Sequence, residues 1–338
     1  MKAIVCTEYG PADGLQLREV EKPTPKDNEV LMGIHATTVT SGDVILRSLS
    51  FPLRLVFRFA FGLGKNKILG HELAGEIEAV GKAVEVFEKG DQVFANAGRG
   101  GGAYAEYICL PEDGLLAIKP ANMTYEEAAA VPVGGLTALF LMRKANIQSG
   151  QRVLIYGASG SVGTYAVQLA EYFGAEVTGV DGTMKLDMLR SIGADHVIDY
   201  TKQDFTKGGQ RYDLILDVVA RRSIFAYRRA LNPDGVCLFV GGSTATVFQA
   251  LLLGPLISRT GSQKMGIVMW KPNEREDLAL LAELFEAGKV VPVIDRRYPL
   301  SEVPEALRYL QDEPHLGKIV ITMRVGVTSA RTTSRLFS

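Results

Sequence analysis

The chain has 338 residues, an apolar share of 47% and a formal net charge of −1. That length suits about two domains with sizeable cores, and dispersed lysines and arginines in a near-neutral chain give no electrostatic case for a nucleic-acid partner. Three cysteines, Cys6, Cys109 and Cys237, stand far apart, which argues against a disulfide framework or a paired-cysteine zinc ribbon and fits a reducing cytoplasm.

The opening residues read as a strand rather than an apolar leader, and no run reaches transmembrane length, so neither secretion nor a membrane partner is expected. The most apolar surface candidate, 51–64, is interrupted by Arg54 and Arg58. Over 1–124, strand-like alternation and turns dominate. Strands are expected at 2–7, 29–36 and 76–80, a turn at Gly90-Asp91, and a flexible loop at 98–102, together suggesting a barrel-like β domain.

Near residue 121 the pattern changes. Thr124 reads as a helix N-cap with Glu126 and Glu127 in the first turn of an alanine-rich helix. Gly134 and Gly135 are expected to interrupt it, with a second helix over 138–144. The segment 152–181 then organises the rest. Val153, Leu154, Ile155 and Tyr156 form a short apolar run suited to a covered parallel strand. Gly157, Gly160 and Gly163 follow, and Val162, Tyr165, Ala166, Leu169 and Ala170 repeat at helical spacing. A helix that begins over a glycine turn presents free N–H groups and its positive dipole end to a pyrophosphate. Asp181 closes the next strand about 20 residues beyond the turn, where a dinucleotide fingerprint places its ribose-binding acid. The first glycine of G-x-G-x-x-G is replaced, the sextet reading Ala158-Ser159-Gly160-Ser161-Val162-Gly163.

Strands and helices continue to alternate to about 264, implying parallel strands with right-handed crossovers. Over 265–323 a helix at 274–287, punctuating prolines, a short helix and a last strand at 318–322 suggest a return to the first domain. The tail 324–338 is Ser/Thr/Arg-rich and expected to be disordered. The fold class is therefore α/β, with a doubly wound parallel sheet over 125–264 inserted into a β domain formed by 1–124 and 265–323.

Several motifs together resemble the medium-chain dehydrogenases/reductases, in their zinc-independent, quinone oxidoreductase-like branch. These are Gly70-His71-Glu72-Leu73-Ala74-Gly75, Gly90-Asp91-Gln92-Val93, the 129–137 segment, the glycine turn and Gly317-Lys318-Ile319-Val320-Ile321. The resemblance covers 1–323. It implies a GroES-like catalytic barrel, an inserted Rossmann domain, a substrate cleft between them, and a homodimer. It also implies cofactor contacts at Thr137, at Ser159, Gly160, Ser161 and Val162, at Asp181, at Val240, Gly241 and Ser243, and at Lys318.

Zinc-binding relatives need a thiolate or similar donor where Thr40 stands here, the histidine at His71, and a further donor near Val133. Only the histidine is present, so no metal is expected, and His71 reads as a hydrogen-bonded packing residue. Hydride chemistry then calls for an apolar cleft with hydrogen-bond donors. Thr40 and Ser41 are the first candidates, with Asp43 orienting a hydroxyl; an ordinary polar turn is the competing reading. The apolar residues of 51–61 are candidates for a pocket roof. The cofactor is NAD or NADP. Asp181 would repel a 2′-phosphate and Lys185 could pair with one, and the balance leans to NAD.

The expected function is NAD(P)H-dependent hydride delivery to quinones, enones or related small carbonyl compounds. The alternatives are a metal-dependent alcohol or aldehyde dehydrogenase, and a nucleotide-binding redox-sensing or interaction protein with little turnover.

Overall fold

The structure, a computed structural model, describes residues 1–8, 10, 12–48, 67–242, 244–268 and 275–323. The expectations for 51–61, for Ser243 and for the tail 324–338 lie outside these residues.

The first part of the chain is built from β1 (Lys2–Cys6), β2 (Leu15–Glu19), β3 (Glu29–Val39), β4 (Lys67–Ile68), β5 (Glu72–Val80), β6 (Gln92–Asn96), β7 (Tyr107–Pro111) and β8 (Leu115–Ile118), with helix α1 (Ser41–Ser48) after β3. Near the end of the described chain, β15 (Ile294–Pro299) and β16 (Lys318–Thr322) join these strands, separated by helix α9 (Val303–Asp312). A seven-stranded sheet runs β15-β16-β3-β5-β6-β8, with β7 pairing β3, and β1 carries β2 and β4 in a smaller sheet. The long β3 is the spine, antiparallel to β16, β5 and β7. Val30, Met32 and Ile34 pack with Leu73, Ile77, Val93 and Leu116, and Leu31 and the run Ala36 to Val39 are buried as well, so β3 is covered on both faces over much of its length. Strands β1 to β8 fall within 1–124, and β16 pairs with β3.

The second part is a six-stranded parallel sheet in the order β11-β10-β9-β12-β13-β14. Its strands are β9 (Arg152–Tyr156), β10 (Glu176–Asp181), β11 (His196–Asp199), β12 (Tyr212–Asp217), β13 (Leu231–Phe239) and β14 (Lys264–Ile267). Helices α4 (Ser161–Tyr172), α5 (Leu186–Ser191), α6 (Ile224–Ala230) and α7 (Thr244–Thr260) connect them. The order reverses between β9 and β12, and in doubly wound sheets the ligand crevice opens beyond the strand ends at such a reversal. β14 extends three residues past 264, the expected end of this domain.

Between the two sheets run α2 (Tyr125–Ala129) and α3 (Pro132–Ala145), and α8 (Arg275–Glu286) packs beside α3. Thr124 caps α2 with Glu127 in a full capping box, as its spacing predicts. The expected break at Gly134-Gly135 is absent: α3 is continuous, begun by Pro132 in its first turn. The two glycines serve packing instead. A Cβ on Gly134 would lie 2.7 Å from the Ser161 carbonyl oxygen, and one on Gly135 would meet Leu281 at 3.1 Å.

Glu72, which is fully buried, ties two strands of the seven-stranded sheet to α3. Its Oε2 accepts from Thr38 Oγ1 on β3 and from Lys318 Nζ on β16, and its Oε1 accepts from the Val133 backbone N–H at 2.6 Å. Val133 lies in the first turn of α3, where the helix dipole favours a carboxylate. Beside Lys318, the Gly317 N–H donates to the Ser159 carbonyl at 2.7 Å. Removing one partner of a buried pair leaves an uncompensated charge. Lys318→Met is therefore expected to lower unfolding stability by roughly 3–5 kcal/mol, measured by urea denaturation, and adding Glu72→Gln should recover part of the loss.

Candidate active site

A cleft of about 790 Å³ lies between the two sheets, at the reversal point. Its floor is the glycine turn after β9. Gly163 lets α4 seat on that turn, since a Cβ there would stand 2.3 Å from the Gly157 carbonyl oxygen. Ser159, Gly160, Ser161 and Val162 all line the cleft. Ser161 Oγ is buried without a hydrogen-bond partner, close against Gly134, at the N-terminus of a 12-residue helix. The free N–H groups and positive dipole end of that helix suit an anion such as a pyrophosphate.

Asp181 ends β10 at the same edge. Its carboxylate accepts from the Ser159 N–H at 3.0 Å and the Gly182 N–H at 2.9 Å, and Lys185 Nζ stands 3.6 Å from Oδ1. Both residues line the cleft, with Tyr200, Arg221 and His315 around them. Sequence reasoning missed these last three, which are distant in the chain and carry no local motif. Burial is the main cause that holds the His315 imidazole below its ordinary range, and the Lys185 ammonium acts in the same direction.

At the other end of the cleft stand Val39, Thr40, Ser41, Gly42, His71, Asn96 and Val133, with Val240 and Gly241 arriving from β13. Thr40 caps α1. Asp43 Oδ2 accepts from the Thr40 N–H at 3.0 Å and from its hydroxyl at 2.7 Å, and the Asp43 N–H reaches back to Thr40 Oγ1 at 3.3 Å. This is a capping-box arrangement with Asp in place of Glu. Asp43 is fully buried and also accepts from Tyr104 Oη at 2.8 Å. Burial, followed by the Asp43 charge, raises the Tyr104 phenol well above its ordinary value, so it remains a donor. The Thr40 proton therefore points at Asp43 rather than into the cleft. Ser41 lines the cleft and is exposed. Asn96 adds an amide whose Oδ1 accepts from the Gly98 N–H at 2.9 Å. No motif marks Asn96; its position on β6 beside β5 brings it in.

Two expected cofactor contacts are placed differently. The Lys318 ammonium is spent on Glu72 rather than turned to the phosphates, although its residue borders the cleft. Thr137 lies one turn beyond Val133 on α3 and outside the cleft lining.

Two family models match: "Alcohol dehydrogenase GroES-like domain" over residues 26–120 and "Zinc-binding dehydrogenase" over 192–321. The 2-methylene-furan-3-one reductase of Solanum lycopersicum is 32% identical, over 95% of this chain and 79% of its own. The quinone oxidoreductase of Sus scrofa is 30% identical, over 90% of this chain and 92% of its own. The chain belongs to the medium-chain dehydrogenase/reductase family. In fold, the quinone oxidoreductase of Escherichia coli, solved in complex with NADPH, superposes with a TM-score of 0.82 at 26% identity, covering 95% of this chain and all of its own.

For a member of this family the zinc question is chemical. Catalytic zinc takes three protein ligands and a water. His71 Nδ1 is bound to the Gly98 carbonyl at 2.8 Å, leaving Nε2, which faces Asp43 Oδ1 at 3.8 Å. Thr40 is committed to Asp43, Val133 has no donor atom in its side chain, and Glu72 is saturated by Thr38, Lys318 and Val133. Among the described residues no three His, Cys, Asp or Glu side chains converge. This donor set does not fit zinc.

The dinucleotide site does fit its ligand. Gly163→Ala should therefore weaken NAD(P)H binding by about tenfold or more, since the added methyl displaces α4 from the turn; nicotinamide fluorescence titration measures it, and an unchanged Kd would remove the glycine turn from the site.

Proposed function

We propose that the protein is a metal-independent NAD(P)H-dependent reductase of quinones, enones or related conjugated carbonyl compounds. The observation that carries this reading is one cleft with an anion-binding helix terminus at one end and hydrogen-bond donors, without a metal-binding set, at the other. The Solanum lycopersicum relative, named for an exocyclic enone, and the Sus scrofa and Escherichia coli quinone oxidoreductases support the substrate class.

Ser159 to Val162 and the ribose acid Asp181 would hold NAD(P)H, which would supply a hydride there. The residues at the far end manage the oxygen. Ser41 Oγ, backed by the N-terminus of α1, donates to the carbonyl oxygen as negative charge develops on it, and the Asn96 amide is a second donor. Asp43 holds the Thr40 turn, and hence Ser41, in place from a fully buried position. Val39, Ile45, Val133 and Val240 give the apolar walls that suit a ring or alkyl chain. Water or a donor in the cleft returns one proton to the enolate or hydroquinone oxygen, which balances the hydride.

We infer that NADH is preferred modestly over NADPH. The Asp181 carboxylate is pinned at the ribose edge by two backbone N–H groups and disfavours a 2′-phosphate, while Lys185 offsets part of that charge. A cytoplasmic setting is the proposal for this enzyme, supported by its three free cysteines. A homodimer is the proposal for its assembly, on the family resemblance.

Ser41→Ala should lower kcat/KM for a quinone or enone by roughly ten- to a hundredfold with the Kd for NADH unchanged; an unaltered kcat/KM would remove Ser41 from the chemistry. Asp181→Ser should raise the NADPH/NADH ratio of kcat/KM by about tenfold or more, and Lys185→Ala should lower it. If neither variant moves the ratio, the assignment of this edge to the ribose fails.

A further inference from the structure

Among the described residues, three that are not glycine have a positive φ: Asn146 at 53°, Asp234 at 63° and Ala220 at 42°. Asparagine and aspartate tolerate the left-handed region because a short polar side chain can bond locally, and Asn146 ends α3, where such a residue is common. Ala220 has no polar side chain to help it. It lies in the turn between β12 and α6, and its neighbours Val218, Val219 and Arg221 line the cleft. A strained residue persists only where its surroundings over-determine it, and such residues gather at ligand clamps.

The surroundings here are a buried carboxylate and two glycines. Asp217, the last residue of β12, is fully buried. Its Oδ1 accepts from the Val219 N–H at 2.8 Å and the Ala220 N–H at 2.6 Å, and its Oδ2 accepts from the Tyr227 hydroxyl on α6. Burial, followed by the Asp217 charge, raises the Tyr227 phenol well above its ordinary value, so it remains a donor. The main chain is pinned on both sides. The Val218 N–H donates to the Tyr156 carbonyl at 3.1 Å, and the Asp217 carbonyl accepts from the Val240 N–H at 3.0 Å. The turn is also wedged between the glycines that follow β9 and β13. A Cβ on Gly157 would stand 2.4 Å from Val219 Cγ2 and 2.6 Å from Val218 Cγ2, and one on Gly242 would stand 2.2 Å from the Ala220 Cβ.

We propose that Asp217 is a positioning residue for the dinucleotide. Through the Val219 and Ala220 N–H groups it holds the turn left-handed at Ala220, which keeps Val218 and Val219 against the glycine turn as one wall of the cofactor site. Asp217 does not itself line the cleft, so it acts through the turn. A carboxylate that merely ended β12 would be indifferent to the conformation of Ala220; one that holds the turn couples that conformation to cofactor affinity. The proposal rests on the dinucleotide reading of the cleft.

The test is a nicotinamide fluorescence titration, with whichever of NADH and NADPH the parent binds more tightly, beside urea denaturation of the same proteins. Asp217→Ala frees the two N–H groups and lets Ala220 relax to a negative φ, so the Kd should rise by about tenfold or more. Glycine adopts a positive φ without steric cost. Adding Ala220→Gly to Asp217→Ala should therefore lower the Kd again by at least about threefold, measured against Ala220→Gly alone. The urea midpoint should stay below that of the parent, because the buried N–H groups still lack an acceptor. Where Asp217→Ala does not fold, the same comparison is made in Tyr227→Phe, which removes one oxygen and should raise the Kd by about threefold. An unchanged Kd in the folded variant would overturn the proposal. So would a raised Kd that Ala220→Gly does not recover, which makes Asp217 a support of the fold at large. A parent that binds neither nucleotide removes the dinucleotide reading and this proposal with it, and that failure is distinct because it shows before any variant is made.

Discussion

A buried carboxylate is tolerated only where its hydrogen-bonding capacity is filled, and Glu72 meets that condition with donors from three separate elements. Thr38 comes from β3, Val133 from the first turn of α3, and Lys318 from β16. None can move without stranding a charge. The arrangement fixes the spine of the seven-stranded sheet, the helix that leads into the nucleotide domain, and the strand that returns from it. The cleft inherits this rigidity, because Thr40 follows Thr38 by two residues, His71 precedes Glu72, and Gly317 bonds Ser159 in the glycine turn. A functional site placed on such elements is held more precisely than one placed on loops.

The nucleotide end follows a different logic, of close approach. Gly163 brings α4 down on Gly157, and Gly134 brings α3 down on Ser161. The result is a helix terminus whose first side chain, Ser161, has its oxygen buried and unpartnered. Asp181 then acts on two scales. Its bonds to Ser159 and Gly182 shape the turn, and its remaining charge borders the cleft, partly balanced by Lys185.

The fold was legible where periodicity and turn chemistry agree. Thr124 with Glu127 announced a capping box, and the run from Val153 to Asp181 contained strand, turn, helix and strand in order. What escaped sequence reading shares a cause: the signal is tertiary. Gly134 and Gly135 look like helix breakers until Ser161 and Leu281 are found pressing against them. Helix α7 is apolar on nearly every side, so it offers no period to read, and only the structure shows that it packs on β14. Asn96, Tyr200 and Arg221 reach the cleft from strands and loops far apart in the chain. Thr40 and Asp43 were identifiable as a pair, but the direction of the Thr40 proton depends on an acid that is wholly enclosed with Tyr104.

The loss of metal ligands bears on which substrates the cleft can reduce. A divalent cation polarises an unconjugated carbonyl strongly enough to accept hydride. Neutral donors, the role proposed for the Ser41 hydroxyl and the Asn96 amide, would stabilise an oxyanion less, each by a hydrogen bond rather than by a full double charge. A site of that kind favours substrates in which the developing charge is already delocalised. Hydride added to the β-carbon of an enone, or to a quinone, places that charge on an oxygen conjugated through the acceptor, so modest donors suffice. Simple ketones and aldehydes lack this assistance. On the proposed reading, a hydroxyl at Thr40 in place of a thiolate would therefore push specificity towards conjugated acceptors, and Asp43, by engaging Thr40, would leave Ser41 as the donor to them.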